Sequence, residues 1–327
     1  MEKRKISIND LRFENFEEKH VEKALKLALC ELEKQRNKTP ALPCDVEDRL
    51  KGMLHWVSGM KYGKVAIFND EMVGYIAFAG PWDGFFGDVA GVFSPLGANA
   101  FSYEIENRER VATILFEKVA KDFVKDEVFS CSICRFADDG VSEALILNGF
   151  GIRCADFIGE VCQIKPESSD ISAVYRKLSM NEHILVKPLQ KKLHQHLSSS
   201  PIFYYNDNDF EEWFEEWSHR EDMCIYGAFY EEKLIGFISV CENGENYITS
   251  HDNMKNICGA FVLEEYRSMN VSQQLLSFIL SEIEKEGIVY LGVDCETLNP
   301  TALNFWSKYF TPYTYSFARR IDERINR

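Results

Sequence analysis

The sequence predicts an α/β (α+β) protein built from two tandem domains of alternating strands and helices. Three observations carry this expectation. A chain of 327 residues suits about two domains. Segments of strand length alternate with segments whose apolar residues recur at helical spacing. The order of elements in the first half then recurs in the second, down to a shared hairpin. In both hairpins an apolar strand passes through an acidic turn into a Gly-aromatic-Ile strand, Val73-Gly74-Tyr75-Ile76 in one and Ile235-Gly236-Phe237-Ile238 in the other. This is a duplication at domain scale. The Pro- and Ser-containing stretch 165–170 suits an exposed connection, which divides the chain into domains 1–165 and 171–327.

In the first half, Val21, Leu25, Leu29 and Leu32 form a helical stripe. Residues 64–68 and 72–78 read as a hairpin around Asn69, Asp70 and Glu71, and residues 89–93 as the next strand. Val111, Leu115, Val119 and Phe123 make a second helical stripe, followed by a strand over 128–134 and a helix that ends at Gly149-Phe150. The second half opens with a strand over 173–178 and a helix over 184–197, stopped by the Ser-rich turn before Pro201. Phe210, Trp213, Phe214 and Trp217 are helically spaced, and residues 226–230 and 234–240 form the second hairpin. An apolar strand over 257–262 leads through the polar turn 263–272 into a helix carrying Leu275, Leu276, Ile279, Leu280 and Ile283. A strand over 288–296 follows. Asn299-Pro300 then starts another helix, because proline at the first helical position loses no needed N–H. Residues 313–321 alternate and read as a final strand.

Composition narrows the function. No apolar run approaches the length of a bilayer span, and the basic N-terminus lacks the apolar core of a signal peptide. The ten cysteines are scattered. Cys131-x-x-Cys134 has no second pair at zinc spacing, so no metal is expected, and unpaired thiols point to a reducing, cytoplasmic compartment. With 37 basic against 52 acidic side chains the net charge is −15, which disfavours nucleic acid as a partner and fits a cationic small molecule.

The stretch 257–310 names a chemistry. A strand that delivers a compact turn onto a helix N-terminus presents unpaired N–H groups and the positive end of the helix dipole, a ready cradle for pyrophosphate. The order strand, Arg-x-x-Gly-x-Gly/Ala turn, helix, strand, Asn-x-x-Ala-x-x-aromatic helix resembles the coenzyme-A site of the GNAT N-acetyltransferase superfamily. Arg267, Asn270 and Ser272 stand for the Arg, first Gly and second Gly/Ala. Asn299, Ala302, Phe305 and Trp306 stand for the second motif. Asn270 replaces a glycine, and Asn adopts left-handed backbone geometry more readily than most residues. Trp306 replaces the usual tyrosine. The resemblance implies a tandem protein of two GNAT-like domains, each a mixed, mostly antiparallel twisted sheet flanked by helices. The first is degenerate, because Ser94-Pro95 and Asn107–Arg110 form no compact Gly-containing turn at the helix start.

The resemblance further implies direct transfer of an acetyl group from acetyl-CoA to a primary amine, a small-molecule partner, with no membrane or metal involved. The assembly it allows is a homodimer. Phe261 and Val262 would face the pantetheine arm. The turn Arg267, Ser268, Met269, Asn270, Val271 and Ser272 would hold the pyrophosphate, with Asn299 and Trp306 completing the cofactor side. Asp294 and Glu296 lie two apart on one strand face, so either could take the proton from the acceptor, Glu296 being nearer the strand end. Indole cannot donate an ionisable proton, so Tyr309 is the candidate acid. Cys258 and Cys295 read as packing residues and His251 as a surface residue. Tyr204 and Tyr205, in the loop after Pro201, are the candidate acceptor-pocket wall, with the final strand expected beside it. A protein that binds acyl-CoA without catalysis is the competing reading, favoured by Asn270 and Trp306.

Overall fold

The computed structural model describes residues 3–85, 87–137, 140–167, 171–204 and 209–326. They fall into two compact units, one of residues 1–155, 246–248 and 312–327, the other of residues 156–245 and 249–311.

The first unit contains β1 (Arg12–Asn15), α1 (Val21–Arg36), α2 (Glu47–Ser58), β2 (Tyr62–Phe68), β3 (Glu71–Trp82), β4 (Ala90–Ser94), β5 (Asn99–Phe101), α3 (Arg108–Lys125), β6 (Val128–Phe136) and α4 (Gly140–Leu147). The next strand, β7 (Gly151–Glu160), starts in the first unit and continues into the second. The second unit goes on through β8 (Val174–Lys177), α5 (Lys187–Ser198), α6 (Phe210–Ser218), β9 (Met223–Tyr230), β10 (Lys233–Cys241), β11 (Met254–Val262), α7 (Val271–Lys285), β12 (Tyr290–Glu296) and α8 (Pro300–Trp306). The last strand, β13 (Thr311–Arg320), returns almost wholly to the first unit.

In the first unit the strands run in the order β1-β2-β3-β4-β6-β13, with β5 on β3. In the second the order is β7-β12-β11-β10-β9-β8. β4–β6 and β11–β12 are parallel pairs, while the hairpins and their outer neighbours are antiparallel. The predicted fold class is therefore present, with the same parallel pair recurring in each copy.

Apolar periodicity explains the cores. α3 buries Val111, Ala112, Leu115, Phe116, Val119 and Phe123, and Phe123 meets Tyr62 and Phe78 edge-on at 5.1 and 5.0 Å. α7 buries Leu275, Leu276, Ile279, Leu280 and Ile283, as its spacing predicts. β6 is buried at every residue because it has a strand on each side, so Cys131 and Cys134 are core side chains, and burial pushes the Cys131 thiol up to about 12.

Three features depart from the sequence reading. β13, expected within the second domain, pairs with β6 over Thr314↔Phe136 to Arg320↔Ser130 and belongs almost wholly to the first unit. The segment after Phe150, not predicted as a strand, is β7, and its residues from Asp156 onward belong to the second unit. The linker expected at 165–170 thus lies inside that unit, and its residues 168–170 fall outside the described residues. Alternation sets which face a side chain takes but not which strand it will pair with, so the partner choice was not readable.

A buried polar network ties the first unit's elements together. Glu31 of α1 accepts from the Phe101 backbone N–H at 2.9 Å and from Arg108 at 2.6 Å, and it faces Arg135 at 3.5 Å. All three side chains are nearly inaccessible to solvent. Removing one member of such a network strands the opposite charge in the core. Glu31→Ala is expected to lower unfolding free energy by about 3–5 kcal/mol in urea titrations. A loss below about 1 kcal/mol, the scale of an exposed pair, would show that the network does not support the unit.

Candidate functional site

The site is built on the parallel pair of the second unit. The ladder between β11 and β12 runs from Met254↔Tyr290 to Ile257↔Val293 and stops there, although both strands continue, to Val262 and Glu296. Each keeps its outer neighbour, β10 beside β11 and β7 beside β12. The result is a wedge between two strands, opening toward their C-terminal ends. Gly259 and Ala260, small residues, lie on its β11 side. A bulge at this level leaves Cys258 without a β10 partner, since Ser239 pairs with Gly259 and Val240 with Ile257.

The polypeptide leaving β11 makes the predicted turn. Asn270 is left-handed at φ 55°, the geometry for which glycine is usual, and Ser268 is left-handed at φ 67°. Asn270 is the N-cap of α7 yet its side chain does not cap the helix. It accepts instead from the Gln273 amide at 2.7 Å, so the N-cap side chain leaves the first-turn N–H groups of α7 to other partners. Arg267 folds back: its Nε donates to the Val262 carbonyl at 3.1 Å and its guanidinium lies 5.3 Å from the Phe261 ring centre. It therefore braces the turn against the end of β11. Ser268 and Met269 are exposed, Ser272 is half-buried, and Val271 packs inward. Phe261 and Val262 are largely buried at the end of β11.

The second motif is also in place. Asn299 caps α8, accepting from the Ala302 N–H at 3.3 Å, and Nε2 of His196 on α5 approaches the same oxygen at 3.5 Å. His196 was not singled out in the sequence, because nothing local links α5 to α8. Trp306 is buried against Phe305 and Phe310, at 4.8 and 5.8 Å, and acts as a core anchor for α8. Tyr309 lies in the turn after α8 rather than on its face, half-buried, and burial raises its phenol above the usual range, so it keeps its proton at neutral pH. Tyr204 is partly exposed in the loop after α5, its N–H donating to the Leu197 carbonyl, whereas Tyr205 lies outside the described residues.

Sheet register places the carboxylates. Phe237 of β10 packs on Trp217 of α6, so Cys241, four residues on, shares the α6 face. Cys241 is opposite Asn256, Asn256 is opposite Gly292, and Asp294 is two residues beyond Gly292. Asp294 thus stands on the α6 face where the wedge opens. Its side chain reaches solvent along the cleft, but strand atoms crowd the carboxylate. Its pKa is raised to about 7, first by lost hydration, then by the charges of Asp156, Glu245 and Glu296. Since solvent still reaches it, hydration is reduced rather than removed, and the three like charges hold the direction upward. Asp156 of β7 and Glu245 of the loop before β11 belong to the same unit and were not predicted.

One cysteine expectation changes. Cys241 and Cys258 are joined across β10 and β11, their Cα atoms 6.3 Å apart, so Cys258 is an exposed, bonded residue and not a packing one. The bulge brings it beside Cys241, which the separation of 17 residues could not show. Cys295 is buried as expected, its thiol pushed up to about 12 by burial and then by Asp294. His251 is also buried rather than surface, its Nδ1 accepting from the Asn253 N–H at 3.1 Å. A cavity of about 480 Å³ between α5 and the β9–β10 hairpin, lined by Leu185, Leu189, Lys192, Phe229 and Leu263, contains none of the candidate residues.

Comparison with known proteins bears on the same segment. Residues 191–310 match the acetyltransferase (GNAT) family model. No match was found among curated proteins. A GCN5-related N-acetyltransferase from Sphaerobacter thermophilus aligns over 96% of this chain and 97% of its own at TM-score 0.58 and 10% identity. The glucosamine N-acetyltransferase region of a fungal multi-domain β-N-acetylglucosaminidase aligns over 94% of this chain and 38% of its own, at TM-score 0.52 and 12% identity. At such identities these likenesses show a shared fold. The strand wedge and the helix-start turn described above lie within residues 191–310, the part of the chain that matches the acetyltransferase (GNAT) family model.

Proposed function

We propose that this protein transfers an acetyl group from acetyl-CoA to a primary amine, at one site per chain, with Asp294 as the general base. The observation that carries the reading is the wedge between β11 and β12, flanked by an uncapped helix start on one side and an ionisable carboxylate on the other. The residues fit the cosubstrate. The first-turn N–H groups of α7, with Ser272 among them, suit the pyrophosphate, and the open edge of β11 over Gly259–Val262 suits an extended arm with amide groups. Bound acetyl-CoA supplies the acetyl group already activated as a thioester.

The chain's own residues do the rest. An amine acceptor arrives mostly protonated at neutral pH, and Asp294 takes that proton so that the nitrogen can form the amide bond. A pKa near 7 suits this: the carboxylate is a far stronger base than an ordinary aspartate yet is substantially ionised at neutral pH. Glu296, farther along β12, contributes negative charge beside the acceptor. Tyr309, protonated, is the donor to the departing thiolate. Tyr204 borders the acceptor side.

The first copy explains why one site is proposed. Its helix α3 starts on Asn107, left-handed at φ 56° as Asn270 is, but the first residue, Arg108, is buried and bonded to Glu31. Beyond the last β4–β6 pair, Ser94↔Ile133, Asn99 donates to Ser94 and to the Cys134 carbonyl, both at 3.0 Å, and accepts from Arg135 at 2.6 Å. Side chains close the gap that remains open in the second copy.

Titration calorimetry is expected to give one acetyl-CoA per chain. Ser272→Glu places a carboxylate where the pyrophosphate is proposed to lie, replacing attraction by repulsion. Affinity should fall by about tenfold or more, on the scale of one to two kcal/mol of helix-end electrostatics. A stoichiometry of two, or unchanged affinity in the variant, would overturn the placement.

Asp294→Asn is expected to lower kcat by about 10²–10⁴ with acetyl-CoA binding retained, and Glu296→Gln by less. Wild-type rate should rise with pH through about 7, as Asp294 loses its proton. Asp156→Asn removes one like charge and should move that limb to lower pH. Because folding raises the Asp294 pKa, the folded state holds this proton more tightly than the unfolded chain does. Its contribution therefore favours the fold at low pH and is lost as pH rises toward about 7. Asp294→Asn should accordingly raise the melting temperature at pH 8 while lowering turnover. Normal turnover in this variant would remove Asp294 from the chemistry, and binding without turnover in the wild type would assign an acyl-CoA-binding role instead.

A further inference from the structure

The acceptor end of the wedge is provided with four carboxylates from three separate segments. Asp294 and Glu296 come from β12, Asp156 from the neighbouring β7, and Glu245 from the loop between β10 and β11. These segments are distant in sequence, and the fold concentrates their charge around Asp294. Like charges gathered in a partly enclosed place repel one another, and a cationic ligand relieves that repulsion.

A second observation is independent of charge. Asn256 of β11 is 7% exposed, and its Oδ1 has no hydrogen-bond partner. Its Nδ2 donates to the Thr249 carbonyl at 2.8 Å, which fixes the orientation of the amide. Oδ1 is thereby turned toward β12, 2.7 Å from the point that a β-carbon on Gly292 would occupy, and Gly292 precedes Asp294 by two residues on the same face. On its other side, a β-carbon on Gly244 would lie 3.2 Å from Asn256 Cγ, so the residue before Glu245 packs against the same amide. The Asn256 amide therefore lies beside Gly244, which precedes Glu245, and Gly292, which stands two residues before Asp294. A buried acceptor without a donor costs about 1–3 kcal/mol, and a ligand that brings N–H groups recovers it.

Acceptors from every side, with negative charge spread over more than one carboxylate, describe a ligand with several N–H-rich cationic centres. We propose that the acceptor is a linear diamine or polyamine. One ammonium sits at Asp294 and Glu296, where it reacts, and the next is held by Glu245, Asp156 and the Asn256 amide oxygen. This rests on the transferase reading for the reacting amine, whereas the second ammonium position stands on the carboxylates and Asn256 alone.

The test uses the full-length protein with acetyl-CoA, and compares butylamine, putrescine and spermidine, which share a primary amine but differ in further charges. Putrescine or spermidine should exceed butylamine in kcat/KM by about tenfold or more, the worth of one charge-assisted contact in a partly dry site. In Glu245→Gln the putrescine KM should rise by about tenfold and the preference over butylamine should shrink. Asp156→Asn provides a second variant should the loop substitution misfold. Calorimetric binding of putrescine to the protein with CoA present, where no transfer can occur, gives a readout independent of turnover. Equal use of butylamine and putrescine would overturn the proposal and leave the transferase reading standing. Putrescine binding that weakens in Glu245→Gln, without acetylation of any of the three amines, would support the cation site and overturn the transferase reading. No putrescine binding at millimolar concentration would overturn the proposal.

Discussion

The ending of one parallel ladder governs this protein's second unit. After Ile257↔Val293 the strands β11 and β12 run on without pairing to each other. Abandoning a ladder in a protein interior leaves backbone donors and acceptors that must be met in some other way. The fold tolerates this because each strand is held from outside, β11 by β10 and β12 by β7. The β10–β11 connection is reinforced where it is most distorted, since the bulge at Cys258 carries the bond to Cys241. Arg267 then fastens the turn to the last carbonyl of β11. These contacts keep the wedge open, and the helix start of α7 and the carboxylate of Asp294 take their positions from it.

The first copy shows what happens when the same topology is filled from within. Its parallel pair, its left-handed Asn107 and its helix α3 repeat the arrangement, yet Asn99 and Arg135 bridge the gap after Ser94↔Ile133. At the helix start a buried carboxylate, Glu31, binds Arg108. The same backbone plan thus serves as a sealed core in one copy and as a cleft in the other. The difference lies in a few side chains and not in the order of elements.

Charge distribution separates the two roles as well. In the first unit the buried acid Glu31 is matched by two arginines, so its charge is compensated and the network binds elements together. In the second, Asp294 is surrounded by Asp156, Glu245 and Glu296, and the repulsion is left for protons or a cation to relieve. Like charge gathered at a cleft lowers stability, and such sites are where function opposes stability. The net charge of −15 made a cationic substrate reasonable, but it is the local gathering of carboxylates that points to one.

How much of this could be read from the chain depends on how far apart the interacting residues lie. The duplicated hairpins, the helical stripes of α3 and α7, the turn at 267–272 with Asn270 in left-handed geometry, and the Asn299 cap are all local. Each follows from residues within a few positions of one another, and sequence by itself determined them. The position of Asp294 and Glu296 on one strand face was legible for the same reason. Their surroundings were not. That Asp156 of β7 and Glu245 of a distant loop act on Asp294, that Asn256 turns an orphan oxygen toward β12, and that Cys258 meets Cys241, all depend on which strands become neighbours. So does the return of β13 to the first unit, where an alternating strand that several partners would accept is taken by β6. Strand pairing is settled by long-range packing of whole faces, and a period of two residues carries no address. Only the tertiary structure, by choosing neighbours, turned a strand with two acids into a cleft with a raised pKa.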